Sequence, residues 1–143
     1  IRLVMQQKKT RLSIQPKADC VKEVFMIIRD LNAEKWVGFN DGNLRKMKEV
    51  KGYEKSMPVF WDRPATANIE QDLQIALEEG FESLVLNHKG ITKEKVGKIH
   101  KAGLEVGAWT VNDTNRMKQL LSMGIDRIYT DNPRHLLQLL KKK

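Results

Sequence analysis

With one cysteine in 143 residues, no disulfide can form within this chain. The redox compartment is therefore left open, and the apolar pattern around Cys20 reads it as a small buried side chain. Long apolar runs are missing as well. No stretch approaches the roughly 18 residues that a membrane-crossing helix needs, and the opening IRLVMQQKKTR has neither an initiator methionine nor the apolar core of a secretory leader. Phosphate-binding glycine loops are absent. Neither GxGxxG nor GxxxxGK[ST] occurs, which argues against a dinucleotide fold or a P-loop. The three histidines, His88, His100 and His135, show no metal spacing of the HExxH kind.

What is present describes a globular domain. Apolar residues make up 41% and charged residues 31%, too much hydrophobicity for a disordered chain. The net charge is +8, yet the lysines are scattered, with KK at 8 and 9, KEK at 93 to 95 and KKK at the end. No basic stripe alternates with aromatics. A solvated lysine-rich surface accounts for this, and it argues against a nucleic-acid partner, whose affinity would have to fall steeply with salt.

Short β-branched or aromatic runs alternate with helical patterns. The runs begin at Leu12, Trp36, Pro58, Leu84, Val106 and Arg127, and each has the length of a buried parallel strand. Helical spacing covers 20–31, 44–50, 69–79, 92–102 and 114–123, and Asn132-Pro133 opens a last helix with a cap and a first-turn proline. Gly103 and Gly124 stand where a helix C-terminus wants a left-handed residue. The phrases EEGFESLVLN, KAGLEVGAWT and SMGIDRIYT repeat one plan, in which a helix ends, the chain turns and a strand follows. Six such βα units predict a parallel sheet with helices outside it. Without a glycine-rich phosphate loop, the better closure is a (β/α)8 barrel of which six units are visible. Ile1, Val4 and Met5 have helical spacing, so the chain is expected to start inside a helix that has lost its beginning. A six-unit arc would leave two sheet edges open, and such edges are expected to aggregate or dimerise in isolation.

In parallel barrels the chemistry lies at the carboxyl ends of the strands. That rule selects Gln15 and Lys17 after the first strand, then Phe39, Asn40 and Asp41, then Trp61 and Asp62, then Asn87 and His88, then Trp109 and Asn112, and last Thr130 and Asp131. Lys17 is the strongest by position, since a lysine past a strand end meets a phosphate as a point charge. Its ordinary alternative is one exposed lysine among many. Asp113 and Asp131 read as helix caps and His88 as a loop histidine, while His100 and His135 lie in helical patterns. Trp109 ends a strand just before a helix cap, and is either a ligand platform or a buried core residue.

AWTVND followed by a helix, then MGIDRIYTDNP and LLQLL, resembles the C-terminal end of glycerophosphodiester phosphodiesterases. LSIQPK resembles that family's third-strand motif, and LVLNHKGITKEKVGKIHKAGL the segment between. The resemblance implies a single domain over residues 1–143, the C-terminal part of a phosphodiesterase-type TIM barrel. It implies metal-dependent hydrolysis of glycerophosphodiesters to glycerol 3-phosphate and an alcohol, with Ca²⁺ or Mg²⁺ as cofactor and a small-molecule substrate. By motif position, Lys17 lies near the phosphate and Trp109 beside the glycerol moiety; Phe39, selected by the strand-end rule, is taken as a further substrate contact. Gln15 stands where the family has an acidic metal ligand, and its neutral amide is a weaker one. Pro16 removes a backbone donor beside it. The family's His-Arg-Gly opening, its Glu-x-Asp metal pair and its second histidine belong to two βα units that would precede Ile1. No catalytic residue is therefore expected within this chain, which is expected to be inactive alone. The alternative is a non-catalytic barrel remnant that binds a polyol phosphate.

Overall fold

The computed structural model describes residues 1–141, so the last two lysines of the terminal KKK lie outside the described residues. Six strands form one all-parallel sheet in sequence order: β1 (Leu12–Ile14), β2 (Val37–Asp41), β3 (Val59–Arg63), β4 (Ser83–Asn87), β5 (Glu105–Trp109) and β6 (Arg127–Ile128). Every strand pairs with the next, and helices alternate with them, giving a half-barrel of the TIM type. The intervening helices are α2 (Val21–Asp30), α3 (Leu44–Tyr53), α4 (Ile69–Glu79), α5 (Lys93–Lys101) and α6 (Thr114–Ser122). A short α1 (Arg2–Gln7) precedes β1 and α7 (Pro133–Lys141) follows β6. Ile1 and Met5 pack on the core, as their helical spacing predicts.

The helix limits follow local chemistry. Asn43, Asn68, Thr92 and Asp113 each accept a hydrogen bond from the backbone N–H three residues on, at the start of α3, α4, α5 and α6. Asn132 does the same for His135 in α7. Gly80, Gly103 and Gly124 follow α4, α5 and α6 with φ of +69°, +80° and +85°, a conformation that costs glycine almost nothing. Cys20 precedes α2 half-buried rather than fully buried, because it occupies the cap position, outside the helix face that packs.

One face of the sheet meets the helices. Phe39, Trp61, Leu84, Leu86, Val106 and Ala108 face outward and pack on Phe25, Ile28, Met47, Ile99, Met117 and Leu120, all buried. Phe39 stacks on Phe25 at 5.4 Å between centroids, and Phe25 stacks on Tyr53 at 5.2 Å. A buried ion pair, Arg63 to Asp72 at 2.9 Å, ties the end of β3 to α4, with the Arg63 guanidinium 4.1 Å over the Trp61 ring. β6 is shorter than the sequence pattern suggests. Tyr129 still donates its N–H to Ala108, but its carbonyl accepts from Val111 in the loop after β5, so regular pairing stops at Ile128.

Candidate functional site

Strand residues alternate between the two faces of a sheet. Since Phe39 and Trp61 point to the helices, their neighbours Asn40 and Asp62 point to the barrel interior. There they form a bonded chain. The Ser13 hydroxyl donates to Asn40 Oδ1 at 2.8 Å, and Asn40 Nδ2 donates to Asp62 Oδ2 at 3.2 Å. The Tyr129 phenol hydrogen-bonds Ser13 from the other edge of the sheet, so side chains of β1, β2 and β3 and the residue after β6 share one polar layer. On its amino-terminal side an opening of about 340 Å³ is lined by Arg11, Gly38, Phe60 and Arg127. Arg127 lies 4.2 Å over the Phe60 ring and bonds Glu105 at 2.6 Å.

The carboxyl-terminal side carries the rim groups. Lys17 sits in the loop after β1, exposed, with its ammonium 2.6 Å from Gln15 Oε1. The loop is held from α3: Lys46 Nζ donates to the Pro16 carbonyl at 2.7 Å, and Arg45 bonds Asp19 at 2.8 Å. Pro16 itself is buried, which fixes where the chain carries Lys17. Trp109, at the end of β5, lies outside the core cluster and is half-buried. Its indole N–H donates to the Val85 carbonyl at 3.0 Å, so the ring is anchored edgewise to β4.

Phe39 requires a correction. It is fully buried against Phe25 on the helix side, so it is a core residue and not a wall of the rim. The inner position at the end of β2 belongs to Asn40. Asn112, Thr130 and Asp131 prove to be bracing. Asn112 Oδ1 accepts from the Thr130 hydroxyl at 3.1 Å and the Asp131 N–H at 3.0 Å, while its Nδ2 donates to Asp131 Oδ2 at 2.7 Å. This knot joins the loops after β5 and β6, and Asp131 serves it while Asn132 caps α7. His88 is half-buried in a turn after β4, its Nδ1 without a partner among the described residues. Burial, then the Arg116 guanidinium, pushes its pKa down, which favours the neutral ring.

Asp62 is the electrostatic outlier. Burial pushes its carboxyl up from 3.8 to about 6, against the Asn40 hydrogen bond and the Lys17 charge, which both lower it. The folded state thus holds the Asp62 proton more tightly than the unfolded chain does. Its contribution to stability is fully present below pH 4 and is lost as pH rises through about 6. Urea unfolding of the natural gene product at pH 4, 5, 6 and 7 should show that decline, and Asp62→Asn should flatten it. An identical pH dependence in the two proteins would discard this assignment.

Metal ligation has little support among these residues. No group of three His, Cys, Asp or Glu side chains among the described residues is placed to hold a cation. The single oxygen expected of Gln15 is already engaged by the Lys17 ammonium. The described residues by themselves therefore do not assemble a divalent site.

Sequence inspection had set Asn40 and Asp62 at the rim but had not linked them, and it missed Ser13 and Tyr129. A signal was there. VGFND and VFWDR each carry a polar side chain at the fourth position, and the register sets Asn40 opposite Phe60, so Asp62 stands two residues further along the neighbouring strand on the same face.

Comparison with known proteins supplies the setting. The sequence profile of the Glycerophosphoryl diester phosphodiesterase family matches residues 3–135. A Glycerophosphodiester phosphodiesterase of Caldanaerobacter subterraneus subsp. tengcongensis is 26% identical over 124 residues, 85% of this chain and 49% of that protein. Among solved structures, a glycerophosphodiester phosphodiesterase from Parabacteroides distasonis superposes with a TM-score of 0.84 at 18% identity, over 99% of this chain and 61% of its own. An Oleispira antarctica phosphodiesterase, in complex with the product sn-glycerol-3-phosphate, gives 0.81 at 18% identity, over 99% and 59%. The chain spans about half the length of that curated relative and about three-fifths of those two structures.

Proposed function

Because the chain belongs to the glycerophosphoryl diester phosphodiesterase family, we propose that the protein it represents hydrolyses glycerophosphodiesters, taking up water to release glycerol 3-phosphate and an alcohol. The observation that carries this is the family match over residues 3–135 together with Lys17 and Trp109 on one rim of a half-barrel. Lys17 meets the phosphoryl group as a positive point charge on a braced loop, exchanging the Gln15 carbonyl for a phosphoryl oxygen. Trp109 offers a fixed apolar wall to the carbon skeleton of the ligand. The Oleispira antarctica relative with its bound sn-glycerol-3-phosphate supports this choice of ligand.

The family is generally metal-dependent, and the chain described here supplies neither an acidic metal pair nor a positioned histidine pair. Both would come from two βα units ahead of Ile1, which would also cover the open edges of β1 and β6. The Gln15–Lys17 bond favours a second reading, a remnant that binds a polyol phosphate without cleaving it. A hydrolysis assay with a glycerophosphodiester and the natural gene product, with and without chelator, separates the two. Turnover that chelation abolishes, with none from residues 1–143 alone, is the expected result. Phosphate-ester binding with no turnover under any condition would favour the remnant and reject the enzyme.

A further inference from the structure

Asp62 is unusual on this inner face. Its Oδ2 takes the Asn40 hydrogen bond, and no hydrogen bond to Oδ1 is present among the described residues. It is half-buried, forms no ion pair among the described residues, and lies on β3 at the carboxyl-terminal side of the polar layer. From Ser13 the donors run in one direction, through Asn40, and end on this carboxylate, with the Tyr129 phenol bonded to Ser13 at the far end. The Ser13 bond to Oδ1 thereby holds Asn40 with its amide nitrogen toward Asp62, and the carboxylate cannot swing away without breaking the Asn40 bond. Lys17 lies close enough for its charge to favour the ionised form.

A positive group after β1 and a negative group on β3 thus act on the same space, with β2 between them. A ligand with an anionic phosphoryl group at one end would be repelled by Asp62 and drawn to Lys17. The group turned toward Asp62 must then be a hydrogen-bond donor. A hydroxyl satisfies that requirement, and in doing so it stabilises a carboxylate whose ionised form is costly where it stands.

We propose that Asp62 is a specificity-determining residue that accepts a hydrogen bond from a hydroxyl of a phosphorylated polyol, and so orients the ligand whose phosphoryl group Lys17 holds. This deepens the phosphodiesterase reading above and rests on it.

The test is binding of two probes, glycerol 3-phosphate and propyl phosphate, to the natural gene product by calorimetry. The two share the phosphoryl group and the three-carbon chain, and differ in the hydroxyls. Wild type should prefer glycerol 3-phosphate by about tenfold or more, the scale of a hydrogen bond to a charged group. In Asp62→Asn, which keeps the shape and the bond to Asn40, that preference should shrink to less than about threefold, with propyl phosphate affinity unchanged. Asp62→Leu should erase it. Lys17→Met should weaken both probes together. A preference that survives in Asp62→Asn, or a wild type that binds both probes equally, overturns the proposal and leaves the phosphodiesterase reading standing. Equal loss of both probes in Asp62→Asn also overturns it, since that is the mark of a structural role. A wild type that binds neither probe rejects the phosphodiesterase reading, and this proposal with it.

Discussion

Replacing Lys17 by methionine lowers kcat/KM for glycerophosphodiester hydrolysis by about 10²- to 10³-fold, the typical cost of removing one preorganised charge or donor aimed at a reacting oxygen. Methionine keeps much of the alkyl volume and removes the ammonium, so packing changes little and the loss reads the charge. The effect is large because the two nearest cations of α3 are committed elsewhere. Lys46 is tied to the Pro16 carbonyl and Arg45 to Asp19, and both of those bonds hold the loop that carries Lys17. Breaking them would misplace the ammonium rather than substitute for it. Lys17→Arg keeps the charge but exchanges a compact ammonium for a planar fork, and should recover only part of the rate. Steady-state kinetics on the three proteins decide the matter. If Lys17→Met stays within threefold of wild type, the phosphoryl group binds elsewhere and the proposed role of Lys17 is wrong.

Phe39→Ala costs about 3–5 kcal/mol of stability, the range for deleting a buried aromatic ring from a core that cannot fully collapse. Phe39 is fully buried and stacks on Phe25, which in turn stacks on Tyr53. Removing the Phe39 ring opens a cavity between β2 and α2 and takes one partner from that stack. Phe39→Leu keeps most of the volume and should cost much less. Chemical denaturation of the natural gene product, read as a shift in midpoint at constant slope, measures both. The kinetics provide the second half of the test. Since Phe39 faces the helices, Phe39→Leu should leave KM near the wild-type value under conditions where the protein stays folded. A KM raised tenfold by Phe39→Leu with unchanged stability would return Phe39 to the rim and refute its place in the core.

These two residues also mark how far the sequence could be read. The alternation of short strands with helical patterns was plain, because apolar spacing and turn chemistry are local properties. Gly103 and Gly124 announced their left-handed turns, and Asn132-Pro133 its helix start. Lys17 and Trp109 were found by one rule about strand ends, and both stand on that side of the structure. AWTVND and IYTDNP were recognisable as text, and the structure gives them a physical meaning: Asn112, Thr130 and Asp131 knot two loops together.

The sequence by itself determined the order of elements and, within a few residues, most of their limits; it set Lys17 and Trp109 at strand ends, but it also set Phe39 at the rim and drew β6 longer than it is. It did not determine which way each strand faces. A parallel strand covered on both sides carries no clean alternation, so VGFND is compatible with Phe39 inward or outward. The choice is made by what lies across from it. Phe25 and Tyr53 take Phe39 into the helix layer. That phase turns Asn40 inward, and the same phase on β3 turns Asp62 inward beside it. Four residues distant in the chain, Ser13, Asn40, Asp62 and Tyr129, become one polar layer only when the sheet curls and fixes its register. Local sequence cannot encode that meeting, because it depends on the packing of the whole sheet against its helices.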